Sequence, residues 1–283
     1  MQLTEFDRVS DFLDRAGAFL EVREAEHNLV FGICSTVGLV PPRPGEEPPS
    51  FAVVTAGDEV VAATLRTPPF NQVLSQVDDL AAVDLLVDAF AAVPLPGVLG
   101  PSEAAARFAA CWTERTGQPA HLQVAERIFR LTRVVPPRPT SGWWRIAEPR
   151  DRELLREWLI AFMDEAVPEG PRPTDMNGVV DRWIARIGRT AYLWEESGRV
   201  VSFVGVGGAT PNGIRIGPVY TPPDLRGRGY ASSLTAAASQ DQLDAGRWFC
   251  FLFTDLANPT SNKIYQAIGY EPVCDMDQYG FGR

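Results

Sequence analysis

The chain of 283 residues is long for one domain and comfortable for two, and 45% hydrophobic residues supply enough apolar surface for a core in each. A formal charge of -10 and a pI near 4.8 argue against nucleic acid or anionic lipid as partner. Two histidines, His27 and His121, leave no basis for a histidine-based metal site, and four scattered cysteines (Cys34, Cys111, Cys250, Cys274) without a CxxC pair read as buried free thiols. The first residues mix Asp, Glu and Arg with apolar side chains, so no signal peptide is expected. No window approaches the ~18 apolar residues of a membrane span. The expectation is a cytoplasmic protein.

In chain order, residues 9–22 place Phe12, Leu13, Ala16, Phe19 and Leu20 at helical spacing, opposite Asp11, Asp14 and Arg15. Residues 28–35 are apolar and fit either a strand or a helix. The proline-rich stretch 41–49 predicts a loop. Residues 51–54 and 59–65, joined through Ala56-Gly57-Asp58, predict a β-hairpin. A helix over 77–93 follows, with 71–75 leading directly into it. Then come a short strand at 97–100, a helix over 103–115 capped by Ser102, and a strand over 121–135.

The prolines at 136, 137 and 139 mark a linker at 136–141, dividing the chain into domains 1–135 and 142–283. Beyond it the pattern predicts a strand at 144–146 and helices over 149–163 and 179–187. Between these helices lies an acidic, proline-broken loop carrying Asp164, Glu165, Glu169 and Asp175. A second hairpin (191–194, turn Glu196-Ser197-Gly198, 200–206) leads to a strand at 214–220. Then come a helix at 230–245, a strand at 248–253, a helix at 260–268 and a closing strand at 269–273. Both halves repeat one order of elements, which reads as a duplication within an α+β fold. The first half lacks the glycine turn of the second.

That turn, Arg226-Gly227-Arg228-Gly229-Tyr230-Ala231, follows a strand ending Val219-Tyr220-Thr221 and opens a helix. The first amides of a helix have no internal partner and lie at the positive end of its dipole, so the turn predicts an anion cradle. A Walker loop would end in Gly-Lys-Ser/Thr, and a Rossmann fingerprint needs three spaced glycines; neither is present. Downstream stands Asn258-Pro259-Thr260-Ser261-Asn262-Lys263-Ile264-Tyr265, then Gly269-Tyr270.

Together, Arg226-x-x-Gly229-x-Ala231 and the Asn258…Tyr265…Gly269-Tyr270 segment resemble the GNAT superfamily of acetyl-CoA-dependent N-acetyltransferases. The resemblance covers the chain from Trp143 onward and implies two GNAT-like domains, each a mostly antiparallel sheet flanked by helices, the first without a phosphate loop. It implies splayed central strands in the second domain and transfer of acetyl from acetyl-CoA to a small-molecule or peptide amine. The backbone of Arg226, Gly227, Arg228, Gly229, Tyr230 and Ala231 would bind the pyrophosphate, with Ser232 leaving room at the helix start. Val219, Tyr220 and Thr221 would pair with the pantetheine arm, as would Asn258 and Ser261 at the next helix start.

Tyr265 would be the general acid, because a phenol is protonated at neutral pH and can donate to a departing thiolate. A ring packed on the sheet is its plainer alternative, as local helix capping is for Asn258. The strand at 214–217 carries no acid to deprotonate the amine. Asp255 is a candidate base with turn capping as its alternative, and the acidic loop is a candidate attractor for a cationic amine. A non-catalytic acyl-CoA-binding sensor is the second reading of the same motifs.

Overall fold

A computed structural model of the chain describes residues 1–37, 47–166, 172–173 and 175–282. The elements run β1 (Gln2–Phe6), α1 (Val9–Val22), α2 (Asn28–Val37), β2 (Ser50–Ala56), β3 (Glu59–Arg66), β4 (Gln72–Leu74), α3 (Ala81–Phe90), β5 (Gly97–Pro101), α4 (Ser102–Thr116) and β6 (Ala120–Leu131). They continue as β7 (Trp143–Ile146), α5 (Arg152–Ala166), α6 (Met176–Ile184), β8 (Arg189–Glu196), β9 (Arg199–Gly207), β10 (Gly213–Tyr220), α7 (Tyr230–Asp244), β11 (Phe249–Asp255), α8 (Pro259–Ala267) and β12 (Glu271–Phe281). The first ten and the last ten follow one order, βααβββαβαβ, so the duplication is complete at the level of elements.

Two compact units result: Met1–Ile128 with Thr254–Asn258 and Val273–Arg283, and Phe129–Phe253 with Pro259–Pro272. This grouping gives the last strand to the first unit, whereas the division at the proline linker leaves it with the second. In the first unit β1, β2, β3 and β4 are successively antiparallel, β4 and β5 are parallel, and β5 pairs antiparallel with β12, Gly97 opposite Gly280 and Pro101 opposite Met276. Arg127 grips Asp275 of β12 through two bonds of 2.6 and 2.9 Å. The apolar faces of α3 and α4 pack one cluster (Val83, Leu86, Val87, Phe108, Trp112), and those of α1 and α2 another (Phe12, Ala16, Leu20, Phe31).

The second unit repeats the plan with β7, β8, β9 and β10 antiparallel and β10 parallel to β11. One cluster gathers Leu234 and Ala238 of α7 with Tyr265 of α8 and Ile214, Ile216, Cys250 and Leu252 of the sheet. The other gathers Leu155 and Trp158 of α5 and Trp183 of α6 with Leu193 and Phe203. Leu234 is fully buried, and cutting it to alanine costs about 2–5 kcal/mol. A capping box between Glu148 and Asp151 opens the 3-10 turn that precedes α5, and Arg145 holds Asp151 and Glu195, each at 2.7 Å.

Several expectations are corrected. Residues 28–37, left open between strand and helix, are helical. β1 and β4 are strands the pattern does not announce: residues 72–74 do not lead straight into a helix but pair with β3, where Thr64 Oγ1 donates to Val73 O at 2.7 Å. The helix expected from 77 begins at Ala81, with Leu80 at the N-cap position, and Asp79 Oδ1 accepts from the Ala81 amide at 3.0 Å in the turn before it. Ser102 is the first residue of α4 rather than its cap, since β5 runs into the helix at Pro101. Residues 149–151 form a 3-10 turn ahead of α5. The closing strand runs to Phe281. Most of the loop expected at 41–49 lies outside the described residues. The four cysteines are free, Cys34, Cys111 and Cys250 buried.

Candidate functional site

β10 is an inner strand at its start and a half-paired one at its end. It pairs with β11 only over Gly213↔Phe249, Ile214↔Cys250 and Arg215↔Phe251, yet continues to Tyr220. Among the described residues, Ile216 to Tyr220 have no strand partner on that edge, and unpaired strand edges are templates for an extended ligand. On its other edge the register with β9 shifts between Ile216 and Val219, a bulge built on Gly217 and on Pro218, which has no amide hydrogen. The end of the strand is pinned from below. Ser202 Oγ donates to Tyr220 O at 3.2 Å and lies 2.8 Å from Thr221 Oγ1.

The glycine turn follows a 3-10 turn at Pro223–Leu225. Gly227 and Gly229 have φ of 76° and 85°, the left-handed region that other residues enter at a cost of roughly 1–2 kcal/mol. Gly229 is the N-cap of α7, no side chain caps the helix, and the bond from Ser233 N to Gly229 O (3.0 Å) closes its first turn. The amides of Tyr230, Ala231 and Ser232 therefore precede the helix's own acceptors. Residues 226–229 are exposed. An uncapped helix start with two left-handed glycines fits a diphosphate.

The side chains here brace the turn. Arg226 donates to Thr221 O (2.9 Å) and pairs with Glu165 (2.6 Å), its guanidinium 5.9 Å from the Tyr220 ring. Arg228 reaches Asp224 O (3.1 Å), and Thr140 Oγ1 donates to Arg228 O (3.0 Å). Tyr230 is buried, its hydroxyl bonded to Glu196, which also receives Ser141.

Tyr265 lies in the apolar cluster shared by α7, α8, β10 and β11, its ring edge-on to Tyr270 at 6.1 Å. Burial pushes its phenol up to about 12. Asn258 and Ser261 stand at the start of α8. Asp255 accepts from the Ala257 amide at 2.7 Å, and its carbonyl accepts from Asn258 N at 3.0 Å, the geometry of a turn cap. Asp255 and Asn258 group with the first unit and Tyr265 with the second.

Of the acids expected in a loop, Asp164 and Glu165 instead lie in the last turn of α5 and Asp175 precedes α6, each with a protein partner. Asp164 pairs with Arg172 (3.0 Å), Glu165 with Arg226, and Asp175 caps α6 by accepting from Gly178 N (2.9 Å). Glu169 lies outside the described residues. The sequence reading passed over the bulge, for which Gly217-Pro218 inside a strand is the available signal, and Ser202, for which there is none.

An α+β unit built twice, with a splayed parallel pair and an uncapped glycine turn in the second copy only, is the class that these features define. The family model described as "Acetyltransferase (GNAT) family" matches residues 152–270, and this segment is a GNAT acetyltransferase domain. No curated protein matches the chain in sequence. Among solved structures, a Drosophila protein is similar at 14% identity with a TM-score of 0.69, covering 99% of this chain and 98% of that one. A GNAT-family acetyltransferase from Colwellia psychrerythraea is similar at 12% identity and TM-score 0.57, covering 99% and 100%. A tandem GNAT protein from the clavulanic acid biosynthesis pathway is similar at 13% identity and 0.55, covering 99% and 98%. These likenesses extend the fold over both units. No helix of the described residues is long and apolar enough to cross a membrane.

Proposed function

We propose that the second unit transfers an acetyl group from acetyl-CoA to a primary amine by direct attack of the amine on the thioester. The observation that carries this reading is the run of β10: its pairing with β11 stops at Arg215, and its free edge leads straight into the uncapped turn at Gly229. A molecule that is extended at one end and a diphosphate at the other fits both.

Each group has a role in this reading. The amides of Gly227 to Ser232 hold the diphosphate, with Arg226 and Arg228 bracing the loop. Main-chain groups of Val219, Tyr220 and Thr221 pair with the pantetheine arm, and Ser261 at the start of α8 adds to its recognition. Main-chain amides beside the bulge polarise the carbonyl. Tyr265 donates a hydrogen bond to the sulfur as negative charge develops. Its raised pKa opposes full proton loss to a thiolate, whose conjugate acid ordinarily titrates near ~8.5, so its help is greatest as a donor within the transition state. Asp255, held as a turn cap, is left out of the chemistry, and the amine gives its proton to water.

The test has two parts: calorimetry with acetyl-CoA, and release of free CoA thiol in the presence of a panel of primary amines. Binding with amine-dependent thiol release is expected. Binding without release from any amine would favour a sensor, and absence of binding would overturn both readings.

A further inference from the structure

The proline-rich stretch between the two repeats belongs to the second unit, where it lies as a strap beside α7. It is held at both ends. Val135 N donates to Ile268 O at 2.9 Å at one end, and at the other Thr140 Oγ1 donates to Arg228 O while Ser141 O accepts from Trp194 Nε1 at 2.8 Å. Between these anchors Pro136, Pro137 and Pro139 have no amide hydrogen, so the strap crosses open space with few donors to satisfy.

Beneath the strap is a cavity of about 360 Å³, the size of a small-ligand site. One wall is Trp144 and Trp194, which stand opposite each other in the register of β7 with β8 and so share a face of the sheet. Its floor is supplied by α7, through Ser233, Ala236, Ala237 and Gln240. Indoles and prolines make the space apolar and suited to a planar ring.

One buried polar group interrupts this lining. Ser233 is only 8% exposed, its amide donates to Gly229 O, and among the described residues nothing meets its hydroxyl. Ser239, further along the same helix, shows the usual outcome, its hydroxyl 2.7 Å from Thr235 O and 2.8 Å from that of Tyr270. A buried hydroxyl left without a partner is a cost to the fold. Water in the cavity would relieve that cost and gain nothing from the indoles, whereas a ring that carries hydrogen-bonding groups gains from both.

The cavity reaches the diphosphate turn. A Cβ at Gly229 would lie 3.8 Å from Thr140 Cβ, and Ser233 stands about 6 Å along the helix from Gly229. With the pantetheine arm on β10 and the diphosphate on residues 227–232, the nucleoside of acetyl-CoA begins beside Thr140. We infer that the adenosine of acetyl-CoA occupies this cavity, its base against Trp144 and Trp194 and the nucleoside hydrogen-bonded to Ser233. This rests on the acyl-transfer reading above for the identity of the ligand, and on the cavity alone for the place of its nucleoside.

The experiment is calorimetry on the full chain with two probes, acetyl-CoA and its nucleotide fragment adenosine 3′,5′-bisphosphate. The fragment should bind and compete with acetyl-CoA. Trp144→Ala, which removes a wall, and Ala237→Phe, which fills the floor, should each weaken both probes by about tenfold or more, and Ser233→Ala by about fivefold. Trp144→Phe should keep most of the affinity, which separates the ring's contact from a folding defect. A fragment that does not bind, or acetyl-CoA affinity within about twofold of the original in both Trp144→Ala and Ala237→Phe, would overturn the inference. A fragment that binds and is lost in Ala237→Phe, with no thiol released from acetyl-CoA by any amine, would leave the nucleoside site standing and overturn acyl transfer.

Discussion

The two copies differ most where β4 meets α3 and β10 meets α7. Both junctions follow a strand that pairs parallel with the next one over only a few residues. In the first copy the turn is satisfied from within: Ser75 N donates to Ala63 O (2.8 Å), Gln76 N to His27 Nε2 (3.0 Å), and Ala81 N to Asp79 Oδ1 (3.0 Å). Asp78 beside it pairs with Arg23 at 2.9 Å. In the second copy two glycines replace the acids, and no side chain caps the helix. The helix start is thus met by the protein's own carboxylate in one copy and by none of its side chains in the other.

The sharpest way to break this contrast is Gly229→Glu. It sets a carboxylate at a left-handed position at the helix start, and acetyl-CoA affinity should fall by about 100-fold or more, while the melting temperature falls by only the few degrees that roughly 1–2 kcal/mol of backbone strain implies. Affinity within about threefold of the original would remove the turn from the site.

Next in size is the pH response of His27 in the first copy. Burial, ahead of all else, lowers its pKa to about 4, while Nδ1 donates to Leu20 O at 2.8 Å and Nε2 accepts from Gln76 N. The folded unit thus prefers neutral His27, and the stability this supplies is intact above about pH 6.5. It drains away as pH falls from there toward 4, by on the order of 3 kcal/mol. Hydrogen exchange of the β2 and β3 amides across that range should show the loss, and a profile as flat as that of His27→Gln would refute it.

Tyr265→Phe in the second copy should lower kcat by about 10–100-fold while leaving acetyl-CoA affinity within about twofold. An equal loss in both would make the ring a packing element alone. The smallest effect is expected from Asp79→Ala, which removes the acceptor of the Ala81 amide in the first copy: about 1 kcal/mol of stability by denaturant titration, with no change in acetyl-CoA affinity.

What could be read beforehand followed from local physics. The apolar stripe of α1 and the turn signals of both hairpins are periodic or short-range, and they mark the observed elements closely. β4 has three residues, too few for an alternating pattern, and β1 alternates weakly because most of it is exposed. β12 runs through Asp275, Asp277 and Gln278, so its polarity hid a strand whose side chains are mostly half-buried. In the site, the glycine turn was legible because its chemistry is carried by backbone and residue type. The grip of Glu165 on Arg226, 61 residues apart, was not.

The pairing of β12 with β5 has a consequence for synthesis. The strand that completes the first unit's sheet lies roughly 170 residues downstream of β5, some ten to thirty seconds of translation at ordinary elongation rates. Throughout that interval the nascent first copy carries an open strand edge at Gly97–Pro101, the kind of surface that recruits neighbouring chains or chaperones. The oldest half of the molecule is therefore the last to be finished.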